Sequence, residues 1–275
     1  MSHIINFSAG PSILPKVVFE EASQAVLDLN GTGLSILEVS HRSSYFEPIL
    51  HEAMALVREL LGLPDDYEVM FLSGGASTQF FMSVMNLLPE GKKAAYVDTG
   101  VWSSKAIHEA KMIASIDVIA SSKDKNYSYI PKGFDISPDF EYLHTTSNNT
   151  IYGTQYQSWP DSSIPMVCDM SSDIFSKPIE PHRFGMIYAG AQKNLGPAGV
   201  TLVIVRKDML GKINKTLPTM LRYETHIQNE SMYNTPPVFP IYVSMLTLRW
   251  LKNLGGLGVM QQMNERKARH VYDII

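Results

Sequence analysis

The chain has 275 residues, with 23 Lys and Arg against 27 Asp and Glu, and a single cysteine. That length allows one large domain with ample core, and a net charge of −4 offers no electrostatic footprint for nucleic acid or an anionic membrane. One cysteine excludes an internal disulfide and a multi-cysteine zinc cage, and no apolar run reaches the length of a membrane span.

Met1–Asn6 lacks a basic segment followed by a long apolar stretch, so no secretory signal is expected and the cytoplasm is the expected location. Pro15-Lys16 opens a helix that presents Val17, Val18, Ala22, Ala25, Val26 and Leu29, and Asn30-Gly31 stops it. Ile49, Leu50, Ala53, Met54, Val57, Leu60 and Leu61 form a second stripe at helical spacing, closed by Gly62. Glu68–Leu72 reads as a strand running into Ser73-Gly74-Gly75-Ala76-Ser77-Thr78, with a helix from about Gln79 to Leu87. Ala94–Asp98 is a second strand, and a helix begins after Val101-Trp102. Further short strands are expected over 116–120, 142–146, 166–169, 186–189 and 200–205, and a long helix over Ile241–Asn253. Gly255-Gly256-Leu257-Gly258 then reads as a hinge. Gln261–Ile275 has helical composition but stops without a cap, as expected of a fragment or of a further domain that begins just after the hinge. The expected organisation is an N-terminal arm over 1–15, a large domain over 16–255 and the start of a small C-terminal domain over 256–275.

Short apolar strands alternating with helices predict a mostly parallel α/β sheet covered on both faces. Functional groups in such sheets gather at the carboxyl ends of the strands. Gly74-Gly75, Asp98, Thr145-Thr146, Asp169 and Ala189–Lys193 all fall at such ends. Lys193 stands alone in the small, apolar stretch Tyr188-Ala189-Gly190-Ala191-Gln192-Lys193-Asn194-Leu195-Gly196-Pro197. Burial lowers a lysine pKa toward neutrality, and a partly neutral amine is what a Schiff base with an aldehyde cofactor needs. Asp169 ends the apolar run Ile164–Cys168. A lysine and an acid at successive strand ends suit pyridoxal phosphate, with the amine on its aldehyde and the carboxylate on its pyridinium nitrogen. An exposed lysine at a strand end is the commoner arrangement.

Other segments have two readings each. Small residues at Ser73–Thr78 let backbone N–H groups approach a phosphate at the helix start, or simply make a turn. The segment fits neither GxGxxG nor GxxxxGK[ST], which counts against a nicotinamide-dependent Rossmann enzyme. Trp102 can stack on a flat cofactor ring or fill a core or interface. Thr150, in Ser147-Asn148-Asn149-Thr150-Ile151, can hydrogen-bond near a ring oxygen or belong to an Asn/Gly turn. Arg42 offers a planar fork for carboxylate or phosphate with His41 beside it, unless the two are a solvated pair. Asn234-Thr235-Pro236-Pro237 is a rigid loop whose first two side chains can donate to a phosphate.

Seven stretches in order, Asn6–Pro11, Ser40–Ser43, Gly74–Phe80, Ser147–Ile151, Cys168–Ser172, Gly190–Asn194 and Asn234–Pro237, resemble the phosphoserine aminotransferases, class V members of the fold-type I pyridoxal phosphate enzymes. The resemblance covers nearly the whole chain and implies a pyridoxal phosphate-binding large domain with a mostly parallel seven-stranded sheet between helices. It implies that Lys193 carries the cofactor and shuttles the substrate α-proton, and that Asp169 keeps the pyridine nitrogen protonated. It implies Trp102 stacked on the ring, Thr150 beside it, and Ala76, Ser77 and Gln192 as further cofactor contacts. Asn234 and Thr235 would reach the cofactor phosphate of a neighbouring subunit, making a homodimer with shared active sites, and His41 and Arg42 would bind the substrate's acidic groups. The implied reaction is amino transfer between phosphoserine and 2-oxoglutarate, giving 3-phosphooxypyruvate and glutamate in serine biosynthesis, with a phosphorylated threonine analogue as a second substrate in pyridoxine synthesis. Members also carry a C-terminal small domain with a substrate-binding arginine and histidine, expected to be largely absent here, and arginine stands in some of them where this chain has Ser77.

Three rivals remain on the sequence alone. An alanine–glyoxylate type aminotransferase keeps the fold and changes the donor. A cysteine desulfurase needs a mobile cysteine, whereas Cys168 adjoins Asp169 in a strand. A chain that binds cofactor or dimerises without turnover is the non-catalytic alternative.

Overall fold

A computed structural model describes residues 4–275, so the first three residues of the predicted N-terminal arm lie outside the described residues. The helices are α1 (Lys16–Leu27), α2 (Glu47–Leu61), α3 (Gly75–Leu87), α4 (Val101–Ile113), α5 (Tyr223–Gln228), α6 (Val238–Asn253) and α7 (Gly256–Tyr272). The strands are β1 (Tyr67–Leu72), β2 (Ala94–Asp98), β3 (Ile116–Ser121), β4 (Leu143–Thr146), β5 (Asn148–Asn149), β6 (Thr154–Gln155), β7 (Met166–Asp169), β8 (Phe184–Gly190) and β9 (Thr201–Arg206).

Seven strands form one sheet in the order β1-β9-β8-β7-β4-β2-β3, while β5 and β6 pair as a separate hairpin. In the large sheet β9 alone runs against its neighbours; the pairs β8–β7, β7–β4, β4–β2 and β2–β3 are parallel. The carboxyl ends of six strands therefore share one edge. Ser73, Thr99, Ser147, Met170 and Ala191 leave the sheet together there.

Alternating side chains divide the core into two layers. Ala95, Val97, Ile187, Ala189, Leu202 and Ile204 pack with Val18, Leu50, Val57 and Leu246 of α1, α2 and α6. Tyr96, Met186, Tyr188, Val203 and Val205 face the other way, against Phe80, Val84, Ala106 and Ala110 of α3 and α4. Strands buried on both faces are apolar throughout, which is why β8 and β9 read as unbroken runs.

The structure departs from the sequence reading in four places. Helix α3 starts at Gly75 rather than near Gln79, because Gly74 takes a left-handed φ of 101° and turns the chain straight from β1 into the helix. The predicted glycine hinge narrows to Gly255, whose φ of 109° ends the link from α6, while Gly256 and Gly258 lie inside α7. The β5–β6 hairpin and the short α5 were unmarked, having only two-residue strands and a single-and-a-half turn to show in the sequence.

Leu50 of α2 is fully buried and Leu27 of α1 is 77% exposed. Leu50→Ala is expected to cost about 3 kcal/mol in urea denaturation, and Leu27→Ala less than about 0.5 kcal/mol.

Candidate active site

The loop after β8 projects Lys193 into the cleft at the shared strand edge. Its Nζ donates to Thr150 Oγ1 at 2.6 Å and lies 5.1 Å from the centre of the Trp102 indole. Burial lowers the Lys193 pKa, opposed by the negative charges of Asp169 and Asp173. The backbone of this loop is pinned by the N-terminal arm: Ser12 N donates to Gln192 O at 2.9 Å, and Ser12 Oγ to Lys193 O. Gly10 lies against the lysine stem, where a Cβ would stand 3.0 Å from Lys193 Cγ.

Asp169 ends β7 and is buried. Oδ1 accepts from Ser171 N at 2.9 Å. Burial raises its carboxyl pKa, while hydrogen bonds from Ser171 and the charge of Lys193 act against that rise. A carboxylate buried at a strand end is suited to a positively charged N–H donor, which offsets the desolvation.

Trp102 sits in the first turn of α4. That turn is held by Asp98, which accepts from Ser103 Oγ at 3.0 Å, Ser104 Oγ at 2.7 Å and Tyr127 OH at 3.1 Å. Ser103 Oγ in turn takes the Thr99 and Gly100 N–H groups at 2.8 and 2.9 Å. Gly100 lets the Thr150 segment come close, since a Cβ there would meet Asn149 Oδ1 at 2.8 Å. The indole is thus fixed in place before any ligand arrives.

Ala76 and Ser77 lie in the first turn of α3, whose leading N–H groups have no partner within the helix. Gln192 is half-buried beside Gly190. The residues present fit pyridoxal phosphate: an amine of lowered pKa close to an indole and a hydroxyl, a buried carboxylate at the neighbouring strand end, and a helix N-terminus at the same sheet edge.

Four predicted site residues are not brought to Lys193 within one chain. His41 and Arg42 line a separate cavity of about 550 Å³ with Glu47, Asn229, Met232 and Tyr233. Burial and the Arg42 charge lower the His41 pKa, and its Nε2 is buried without a partner. Asn234 lines a cavity of about 210 Å³ with Ser73, Gly74 and Thr78, and Thr235 beside it is exposed. Sequence reading missed Gly10 and Ser12 as Lys193 contacts and Ser103 and Ser104 as anchors of α4.

The Aminotransferase class-V family matches residues 4–275. A phosphoserine aminotransferase of Flavobacterium psychrophilum is 58% identical over 271 residues, covering 98% of this chain and 76% of that protein. One from Porphyromonas gingivalis is 51% identical over 275 residues, with the same two shares of 98% and 76%. Among solved structures, the phosphoserine aminotransferase of Bacillus circulans subsp. alkalophilus superposes with a TM-score of 0.94 at 50% identity, covering 98% of this chain and 75% of that one. A pyridoxal phosphate-bound phosphoserine aminotransferase from Trichomonas vaginalis gives a TM-score of 0.93 at 36% identity, covering 98% and 80%.

Two outcomes are expected of the cofactor-free protein. As pH is raised from about 7 to 9, an amine-acylating reagent should label Lys193 ahead of the exposed lysines, as read by peptide mass spectrometry, because the neutral amine appears earlier where the pKa is depressed. Asp169 has a raised folded-state pKa, so its contribution to stability is present in acid and lost as pH climbs through that pKa. Asp169→Asn should therefore leave the cofactor-free melting temperature at pH 7 unchanged or higher, while the cofactor-loaded variant loses activity.

Proposed function

The chain belongs to the class-V aminotransferase family and uses pyridoxal phosphate, and we propose that it moves an amino group between O-phospho-L-serine and 2-oxoglutarate, giving 3-phosphooxypyruvate and L-glutamate. The observation that carries the reading is Lys193 Nζ set 2.6 Å from Thr150 Oγ1 and 5.1 Å from the Trp102 ring, with buried Asp169 at the neighbouring strand end. The substrate rests on the phosphoserine aminotransferases that are 51–58% identical to this chain.

When bound, pyridoxal phosphate supplies an electron sink for the bonding pair released as the substrate α-proton leaves. Asp169 would hold a proton at the ring nitrogen, and the low-dielectric site around it would keep that ion pair strong. Lys193 would carry the cofactor and take and return the α-proton through Nζ; its lowered pKa leaves more of the amine neutral for both tasks. Trp102 would cover one ring face, Thr150 would orient the ring oxygen, and the N–H groups around Ala76 and Ser77 would seat the phosphate with Gln192 beside them. That seat uses backbone donors, so Ser77 serves where some relatives carry arginine.

His41, Arg42, Asn234 and Thr235 lie away from their own Lys193, and we assign them to the site of a second copy in a homodimer. Arg42 and His41 then meet the acidic groups of the substrate, and Asn234 and Thr235 the cofactor phosphate. Serine synthesis in the cytoplasm is the proposed setting, with 4-phosphooxy-L-threonine as a further substrate in pyridoxine synthesis. A desulfurase reading is disfavoured by Cys168, which is fully buried with its thiol pKa pushed well up.

The purified holoenzyme should turn over phosphoserine with 2-oxoglutarate and prefer it to alanine with glyoxylate; the opposite preference would sink the substrate assignment. Lys193→Ala should lose the bound chromophore and at least about a thousandfold in kcat. Arg42→Ala should lower kcat/KM for phosphoserine by about thirtyfold or more.

A further inference from the structure

Asp173 is a buried acid that touches none of the cofactor contacts described above. It sits in the turn that follows β7, four residues after Asp169. Burial raises its carboxyl pKa, and among the described residues it has no ion pair. A buried carboxylate with no ion-pair contact costs stability, so its two hydrogen bonds must matter to the structure.

Both bonds go to the same small element. Ser147 Oγ donates to Oδ1, and Gln155 Nε2 donates to Oδ2 at 2.9 Å. Ser147 immediately precedes β5 and Gln155 ends β6, so one carboxylate grips the two legs of the hairpin at its root. Two-residue strands cannot hold a hairpin alone. Ser172, next door, adds a third tie from Oγ to Asn148 O at 2.9 Å. The turn that this root supports, 150–153, carries Thr150, whose Oγ1 receives Lys193 Nζ at 2.6 Å. The same loop reaches the lysine segment from the other side: Gly190 N donates to Ser171 Oγ at 3.0 Å, and Asn194 Nδ2 to Ile174 O.

We propose that Asp173 is a positioning residue, whose carboxylate clamps the β5–β6 hairpin so that Thr150 is held against the Lys193 amine. The inference rests on the assignment of Lys193 as the cofactor-bearing residue. It acts through geometry rather than charge, and the two roles separate in one substitution. In Asp173→Asn the amide oxygen can still accept from Gln155, and the amide nitrogen can donate to Ser147 Oγ, whose hydroxyl then donates to Asp169 O, already 3.0 Å away. The clamp survives and the charge is gone. In Asp173→Ala both are lost.

The test follows cofactor-free protein by amide hydrogen exchange over residues 148–155 and by the rate at which added pyridoxal phosphate forms its lysine-bound visible chromophore, with melting temperature as a fold control. Asp173→Ala should speed exchange in the hairpin about tenfold and slow chromophore formation by about fivefold or more, while Asp173→Asn stays within about twofold of wild type on both. Gln155→Ala, at a half-buried position, should reproduce the exchange change and part of the slowing, and it decides the matter if Asp173→Ala does not fold. Equal impairment in Asp173→Asn and Asp173→Ala would overturn the clamp in favour of charge. Unchanged exchange, or faster exchange with wild-type chromophore formation, in Gln155→Ala would overturn it outright. Wild-type protein that forms no chromophore on Lys193 would instead bring down the functional reading, and this inference with it.

Discussion

The rest of the site depends on one electrostatic constraint. A carboxylate and an amine must both sit out of water at the edge of a sheet, where each is costly. Burial pushes Asp169 up and Lys193 down, toward neutrality in both cases, and each opposes the other's shift. A pair in that state is poorly paired and wants a ligand. In the proposed reading a cationic ring nitrogen beside Asp169 and an aldehyde at Lys193 would remove both desolvation costs at once, and stability given up in the cofactor-free chain would be recovered on loading.

That constraint explains the surrounding polar work. Several loops at the shared edge are tied to one another. The N-terminal arm holds the lysine loop through Ser12, and the turn after Asp169 reaches both the lysine loop and the Thr150 hairpin. Asp98 fastens the first turn of α4 and with it Trp102. Parallel topology makes this possible, because it returns every crossover to the opposite edge and leaves the carboxyl ends free to converge. The large sheet is buried on both faces, so the edge positions cannot drift without repacking two layers of core.

Much of this was legible in the chain. The strands over 166–169 and 186–189 announce themselves as short apolar runs, and Lys193 and Asp169 stand out because a charge next to such runs is expensive. The glycines at 74 and 75 signalled the turn into α3, although its start was placed four residues late: Ala76, Ser77 and Thr78 look like loop residues until the left-handed Gly74 lets the helix begin at once. What escaped notice was the support. Ser12, Ser103 and Asp173 are ordinary polar residues with no periodicity or motif of their own. Their partners lie 5 to 181 residues away for the bonds that matter, and sequence spacing carries no trace of such pairings.

The sequence by itself determined the alternation of strand and helix, the sheet it implies, and the two chemical groups placed at its edge, because burial and period are written locally in residue type. Only the tertiary structure decided that Lys193 rests on Thr150 rather than in solvent, that Ser12 ties the N-terminal arm to the lysine loop, and that His41, Arg42 and Asn234 line cavities apart from the lysine of their own chain. Those outcomes depend on contacts between segments far apart in the chain, and a side chain's partner is fixed by where the sheet brings it, not by what precedes it.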